Sequence, residues 1–122
     1  MFIGRFVIAT MTVEGLHNWT DANVECPESG FLSHRHRHMF KIEATAYVDH
    51  ADRAIEFIQL RRNILTYIHT SYRRCEKYKM IDFGSMSCEM IAADIIEQFP
   101  ELTKVVVWED GENAGGVEKI QC

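Results

Sequence analysis

From His34 to Val48 apolar and polar residues alternate, and that period of two calls for a β-strand with one buried face. Phe40, Ile42, Ala44, Ala46 and Val48 share one side, while Arg37, Lys41, Glu43 and Thr45 share the other. Extending the apolar side towards the N-terminus places His38, His36 and His34 on it. Successive residues on one strand face project in parallel, so two of these imidazoles can converge on one point. His-x-His on a strand is therefore a two-ligand metal unit, and imidazole suits zinc. A catalytic zinc takes three protein ligands and keeps one position open. His17, near the end of the first apolar stretch, is the available third ligand if the two strands are neighbours. The plainer alternative is a solvated basic tract, His34-Arg35-His36-Arg37-His38, and spacing alone leaves both readings open.

The rest of the chain supplies the frame. Residues 1–17 are apolar and β-branched and predict a first strand. Residues 18–33 hold Pro27 and Gly30 and read as a loop, long enough to suggest a function. Spacing of three and four residues predicts helices over 51–74 and over Ser87–Phe99. Ser85 or Ser87 would cap the second and Pro100 would stop it. Strands follow over Leu102–Glu109 and Gly116–Gln121, with a turn at 110–113 between them. The order β-β-α-α-β-β predicts one α+β domain over 1–122, with a four-stranded antiparallel sheet and two helices on one face. Open sheet edges need covering or pairing, so a homo-oligomer is expected.

Charge and composition narrow the function. A net charge of −5 and a pI near 5.6 argue against a nucleic-acid or anionic-membrane binder. No apolar run reaches the roughly 18–20 residues of a membrane span. Arg5 interrupts the apolar N-terminus, which does not read as a signal peptide, so a cytoplasmic protein is expected. Cys26, Cys75, Cys88 and Cys122 form no C-x-x-C pair and are expected to be free thiols. The stretch from Arg61-Arg62 to Arg73-Arg74 is basic, with Tyr67 and Tyr72 interleaved. It reads as a solvated helix face, with arginine forks for a phosphate as the alternative.

Five segments resemble, in order, motifs of the 6-pyruvoyl-tetrahydropterin synthase and 6-carboxy-tetrahydropterin synthase family. Val13-Glu14-Gly15-Leu16-His17-Asn18-Trp19 resembles that family's F-x-A-A-H-x-L strand end, and His36-Arg37-His38-Met39-Phe40 its H-G-H-x-[YF]. Residues 54–60 are similar to its entry into the first helix. Ser87-Cys88-Glu89-Met90-Ile91-Ala92 is similar to its P-T-x-E-N-[LI]-A, and Val105-Val106-Val107-Trp108-Glu109 to its V-x-V-x-E-T. The resemblance implies a tunnelling fold whose sheets join edge to edge into an oligomeric barrel, trimer-based, tetrameric or hexameric. It implies a zinc-dependent lyase acting on 7,8-dihydroneopterin triphosphate, with zinc on His17, His36 and His38 and with His34 outside the set. Cys26 would be the proton-moving thiol, Glu109 the pterin anchor and Glu89 a second substrate contact.

The departures are specific. The family's Leu-Asp-His motif, whose Asp-His pair relays protons with the cysteine, is matched only by Ile81-Asp82-Phe83. His69 and Asp82 could replace that pair only if folding brings them together. Asp49-His50 is an Asp-His pair in the wrong place. Arg37, Glu56 and Asp110 stand where the family has Gly, Asp and Thr. The alternative function is thus a non-catalytic protein that binds a pterin or purine nucleotide in the same pocket.

Overall fold

β1 (Arg5–His17) and β2 (His36–Val48) are two 13-residue antiparallel strands in a computed structural model that describes residues 1–120. Their register runs from Arg5 opposite Val48 to His17 opposite His36. β5 (Lys104–Glu109) pairs with the other side of β2, with Glu109 opposite Phe40. β6 (Asn113–Glu118) closes a hairpin with β5. These four strands are the antiparallel block that the sequence predicts.

The sheet is larger than expected. β3 (Arg73–Cys75) and β4 (Met80–Asp82) extend it beyond β1, and β4 runs parallel to β1 at Gly15 and Leu16. The result is a mixed six-stranded sheet in the order β3-β4-β1-β2-β5-β6. Strands of three residues are too short to show a period, so this hairpin was not visible in the pattern. It also shortens the first long helix, which does not reach residue 74. Helix α2 spans Phe57–Ser71. Its start is fixed by Glu56, whose carboxylate accepts the Ile58 and Gln59 amide N–H groups at 2.8 and 3.0 Å. Residues 51–56 lie outside the helix, with Arg53 in the left-handed region at φ 53°. Helix α3 spans Cys88–Gln98 and is capped by Ser87, which accepts from the Met90 N–H. The segment after β1 contains α1 (Ala22–Glu25) and a 3-10 stretch, Pro27–Ser33, rather than open loop. The last strand lies earlier than expected, and both Gln121 and Cys122 fall outside the described residues.

Helices α2 and α3 cover one sheet face. Leu60, Ile64 and Ile68 from α2 and Ile91, Ala92 and Ile95 from α3 bury against Met11, Val13, Phe40, Ile42, Ala44, Val105 and Val107. Most of the strand residues in that cluster alternate with polar or more exposed neighbours, as a one-sided sheet requires. Phe83 is 2% exposed and packs edge to face on Phe40, with ring centroids 5.1 Å apart. Its ring also fills the space beside Gly15, where an added Cβ would come within 2.7 Å of it. Replacing Gly15 with alanine therefore overpacks the β1–β4 junction. The expected cost is about 1–3 kcal/mol in urea unfolding, with the slope unchanged.

The opposite sheet face is open. Phe6, Ile8 and Tyr47 are exposed on it at 54, 44 and 59%. The indole N–H of Trp108, on the same face, is buried without a hydrogen-bond partner among the described residues. No helix of the described residues is long and apolar enough to cross a membrane.

Candidate metal centre

The register of β1 and β2 brings three imidazoles to one end of the sheet. His17 lies opposite His36, and His38 follows on the same face two residues later. Ring centroids are 4.6 Å apart for His17 and His36, 5.2 Å for His17 and His38, and 5.0 Å for His36 and His38. One ring nitrogen from each lies within 4.8 Å of the others.

Every Nδ1 in this trio already faces an acceptor. His17 Nδ1 lies 2.9 Å from the Met86 carbonyl oxygen, and His36 Nδ1 lies 2.9 Å from the His34 carbonyl oxygen. His38 Nδ1 lies 2.7 Å from Asp110 Oδ2. Carbonyl and carboxylate oxygens can only accept, so each Nδ1 carries the proton and each Nε2 keeps its lone pair. That is the tautomer a metal needs, held by the outer contacts that metal-binding histidines usually have. His17 Nε2 is buried and makes no hydrogen bond among the described residues. Burial, with the neighbouring His36 and His38, pulls the His17 imidazole below its ordinary value of 6.5 against the opposing pull of the Met86 carbonyl and Glu109. A neutral imidazole with an unpartnered, inward lone pair is costly unless something binds it. The donor set fits a divalent transition metal, with zinc the natural candidate.

Asp110 is a contact that the sequence did not reveal. It sits in the β5–β6 turn with φ 54°, next to Gly111 at φ 70°. An aspartate tolerates that left-handed backbone better than most residues. The turn folds Asp110 back onto β2, where its carboxylate also accepts the Met39 N–H at 2.9 Å. That hydrogen bond comes first, followed by that of His38, in holding the carboxyl below its ordinary range. An Asp-Gly pair after a strand that ends in Glu was the available signal. Asp110→Ala is expected to weaken zinc binding about 10–100-fold while the fold stays intact, and Asp110→Asn, which keeps an acceptor, to weaken it less. Chelator competition measures both.

Beside the imidazoles opens a pocket of about 470 Å³, lined by His17 and His36, by Cys88 and Glu89 of α3, and by Glu109 of β5. Glu109 Oε2 lies 3.0 Å from His17 Nε2, and Oε1 lies 3.6 Å from His38 Nε2. The Cys88 thiol donates to Glu109 Oε2 at 3.6 Å. Burial, then the Glu109 carboxylate, pushes that thiol up to about 12. Cys88 counts as one more apolar residue in the α3 stripe, which hid its place in the pocket. Glu89 lies over Gly115 of β6, where a Cβ would collide with its carboxylate.

Other candidates lie elsewhere. Cys26 precedes the 3-10 stretch, donates to Glu28 at 3.2 Å and does not line the pocket. His34 is exposed and contributes its backbone carbonyl. His69 is exposed on α2. Asp82 is buried and pairs with Arg35 and the Gly84 N–H, not with His69. Phe40 stands between Phe83 and the three imidazoles, its ring in edge-to-face contact with Phe83, His17 and His38.

No protein-family model matches the chain, and no curated protein does. Among solved structures it is similar to 6-pyruvoyl tetrahydropterin synthase of Caenorhabditis elegans, with a TM-score of 0.64. The match covers 98% of this chain and 100% of that one, at 12% identity. The two share a fold. At that identity, site chemistry has to be argued from the residues present in this chain.

Proposed function

We propose that this protein is a zinc-dependent lyase of the pterin synthase type, acting on 7,8-dihydroneopterin triphosphate. The observation that carries the proposal is the trio of Nε2 lone pairs, each fixed by an acceptor on its Nδ1, at the mouth of a pocket that also holds a carboxylate. His17, His36 and His38 would hold the metal. Bound there, a zinc ion would supply a Lewis acid that holds side-chain hydroxyls and acidifies the protons beside them. Glu109 would accept two parallel hydrogen bonds from the amino and ring N–H groups of a pterin. Glu89 lines the same wall. Cys88, rather than Cys26, is the thiol within the pocket, so position favours it for moving a proton. The test is incubation of zinc-loaded protein with 7,8-dihydroneopterin triphosphate, following substrate loss and triphosphate release.

A second reading has its own observation. No histidine stands in the Phe83 position, and Asp82 is engaged by Arg35. A pocket with metal ligands and an anchor but no such relay suits a protein that binds a pterin or purine nucleotide without turning it over. Calorimetry with biopterin separates the readings when set beside the turnover assay.

Assembly belongs to the same proposal. The exposed Phe6, Ile8 and Tyr47 of the open face and the outer edges of β6 and of β1 before Gly15 would be covered by neighbouring copies joined into a barrel. Light scattering is expected to report a trimer or a higher closed multiple. A stable 14.2 kDa monomer at micromolar concentration would contradict the barrel.

A further inference from the structure

Two of the three acceptors that fix the imidazole tautomers are main-chain carbonyls, those of Met86 and His34. Met86 belongs to the connector between β4 and α3, and His34 to the segment just before β2. Both residues lie outside helix and strand, so regular backbone pairing does not set where their carbonyls point. The connector is instead bonded to β1 on either side of His17. The Phe83 N–H donates to the Leu16 carbonyl at 2.8 Å, and the Asn18 N–H donates to the Gly84 carbonyl at 2.9 Å. At the root of the connector Asp82 folds back, and its Oδ1 accepts the Gly84 N–H at 2.8 Å. Its Oδ2 accepts from the Arg35 guanidinium. Arg35 follows His34 directly, so its own nitrogen is bonded to the His34 carbonyl carbon, and His36 comes next. One ion pair therefore ties together the two segments that supply acceptors to His17 and His36. Its carboxylate is buried, where a charge is costly unless it is paired.

We infer that Arg35 and Asp82 are positioning residues for the metal centre: their ion pair fixes the Met86 and His34 carbonyls, and through them the Nε2 lone pairs of His17 and His36. This rests on the metal reading above and deepens it. Asp82 then serves the site without moving a proton and without touching substrate. His38 lies outside the reach of the pair, because its acceptor is Asp110 on the β5–β6 turn. The three imidazoles thus divide into two that depend on the pair and one that does not.

Proton–nitrogen NMR correlations across the imidazole rings report which nitrogen carries the proton, and they can be read in metal-free protein at a pH where the rings are neutral. Wild type is expected to hold His17, His36 and His38 each with the proton on Nδ1. Asp82→Asn keeps the side-chain shape and an acceptor for the Gly84 N–H. It is expected to leave His17 and His36 as mixtures of tautomers while His38 stays unchanged. Zinc affinity, measured by chelator competition, is expected to fall about 10–100-fold. Arg35→Gln is expected to act in the same way. The double variant, Arg35→Gln with Asp82→Asn, removes the pair without leaving a buried charge unpaired, and it decides the matter if either single variant fails to fold. Its loss of affinity is expected to match that of one single change, because both changes remove the same interaction. A pair that only stabilises the fold would lower the unfolding midpoint and leave tautomers and zinc affinity as in wild type. That result in the double variant would overturn the inference, and so would loss of the fixed tautomer at His38 along with the other two. If wild-type protein takes up no zinc, the metal reading itself fails, an outcome separate from the tautomer contrast, which is read without metal.

Discussion

Replacing His36 or His38 with alanine is expected to lower the metal content from about one zinc per chain to nearly none, whereas His34→Ala is expected to leave it unchanged. The contrast follows from where the three side chains lie. His36 and His38 each have Nδ1 on an acceptor and a free Nε2 turned to the cluster. His34 is exposed and serves through its carbonyl, which alanine retains. A solvated basic tract predicts no such difference, because all three imidazoles would then be equivalent. Metal analysis of protein purified without chelator measures the effect. Equal loss in all three variants, or none, would contradict the assignment of ligands.

Turnover is expected to be slow. A positioned general acid or base contributes about 10²–10⁴-fold to rate. Phe83 cannot carry a proton and lies behind Phe40, and Asp82 is held by Arg35. His69 is exposed on α2 and not among the residues lining the pocket. The remaining titratable groups at the pocket are Cys88, Glu89 and Glu109 beside the imidazoles. Zinc-loaded protein should therefore bind 7,8-dihydroneopterin triphosphate and release triphosphate well below about 1 s⁻¹. Cys88→Ser should reduce what turnover there is more than Cys26→Ser does. The opposite order would return the proton-moving role to Cys26, and a rate above that mark would show that a relay is present.

The parts of this molecule that were legible in the sequence are those set by long, regular patterns. The alternation over 34–48 is preserved in β2, and the histidines at its start lie on the face it predicts. Three further strands follow from apolar and β-branched runs set off by turn residues, and both long helices follow from periodicity. What escaped was decided by short or tertiary features. β3 and β4 are too brief for a period, and Glu56 sets a helix start that hydrophobic spacing cannot locate. Whether His69 meets Asp82 depends on where the β3–β4 hairpin packs, which no local pattern states. Asp110 reaches His38 only because the β5–β6 turn adopts left-handed backbone at two successive residues. Cys88 is invisible as a site residue because a buried thiol fits a helix stripe as well as alanine does.

In the reading proposed here, His17, His36 and His38 hold one metal ion through Nε2, at the edge of the Glu109 pocket. Anomalous diffraction from a crystal of zinc-loaded protein, measured on both sides of the zinc absorption edge, tests it most directly. One peak per chain is expected, at bonding distance from all three Nε2 atoms. No peak there, with the three imidazoles bonded to water or to one another, would contradict it.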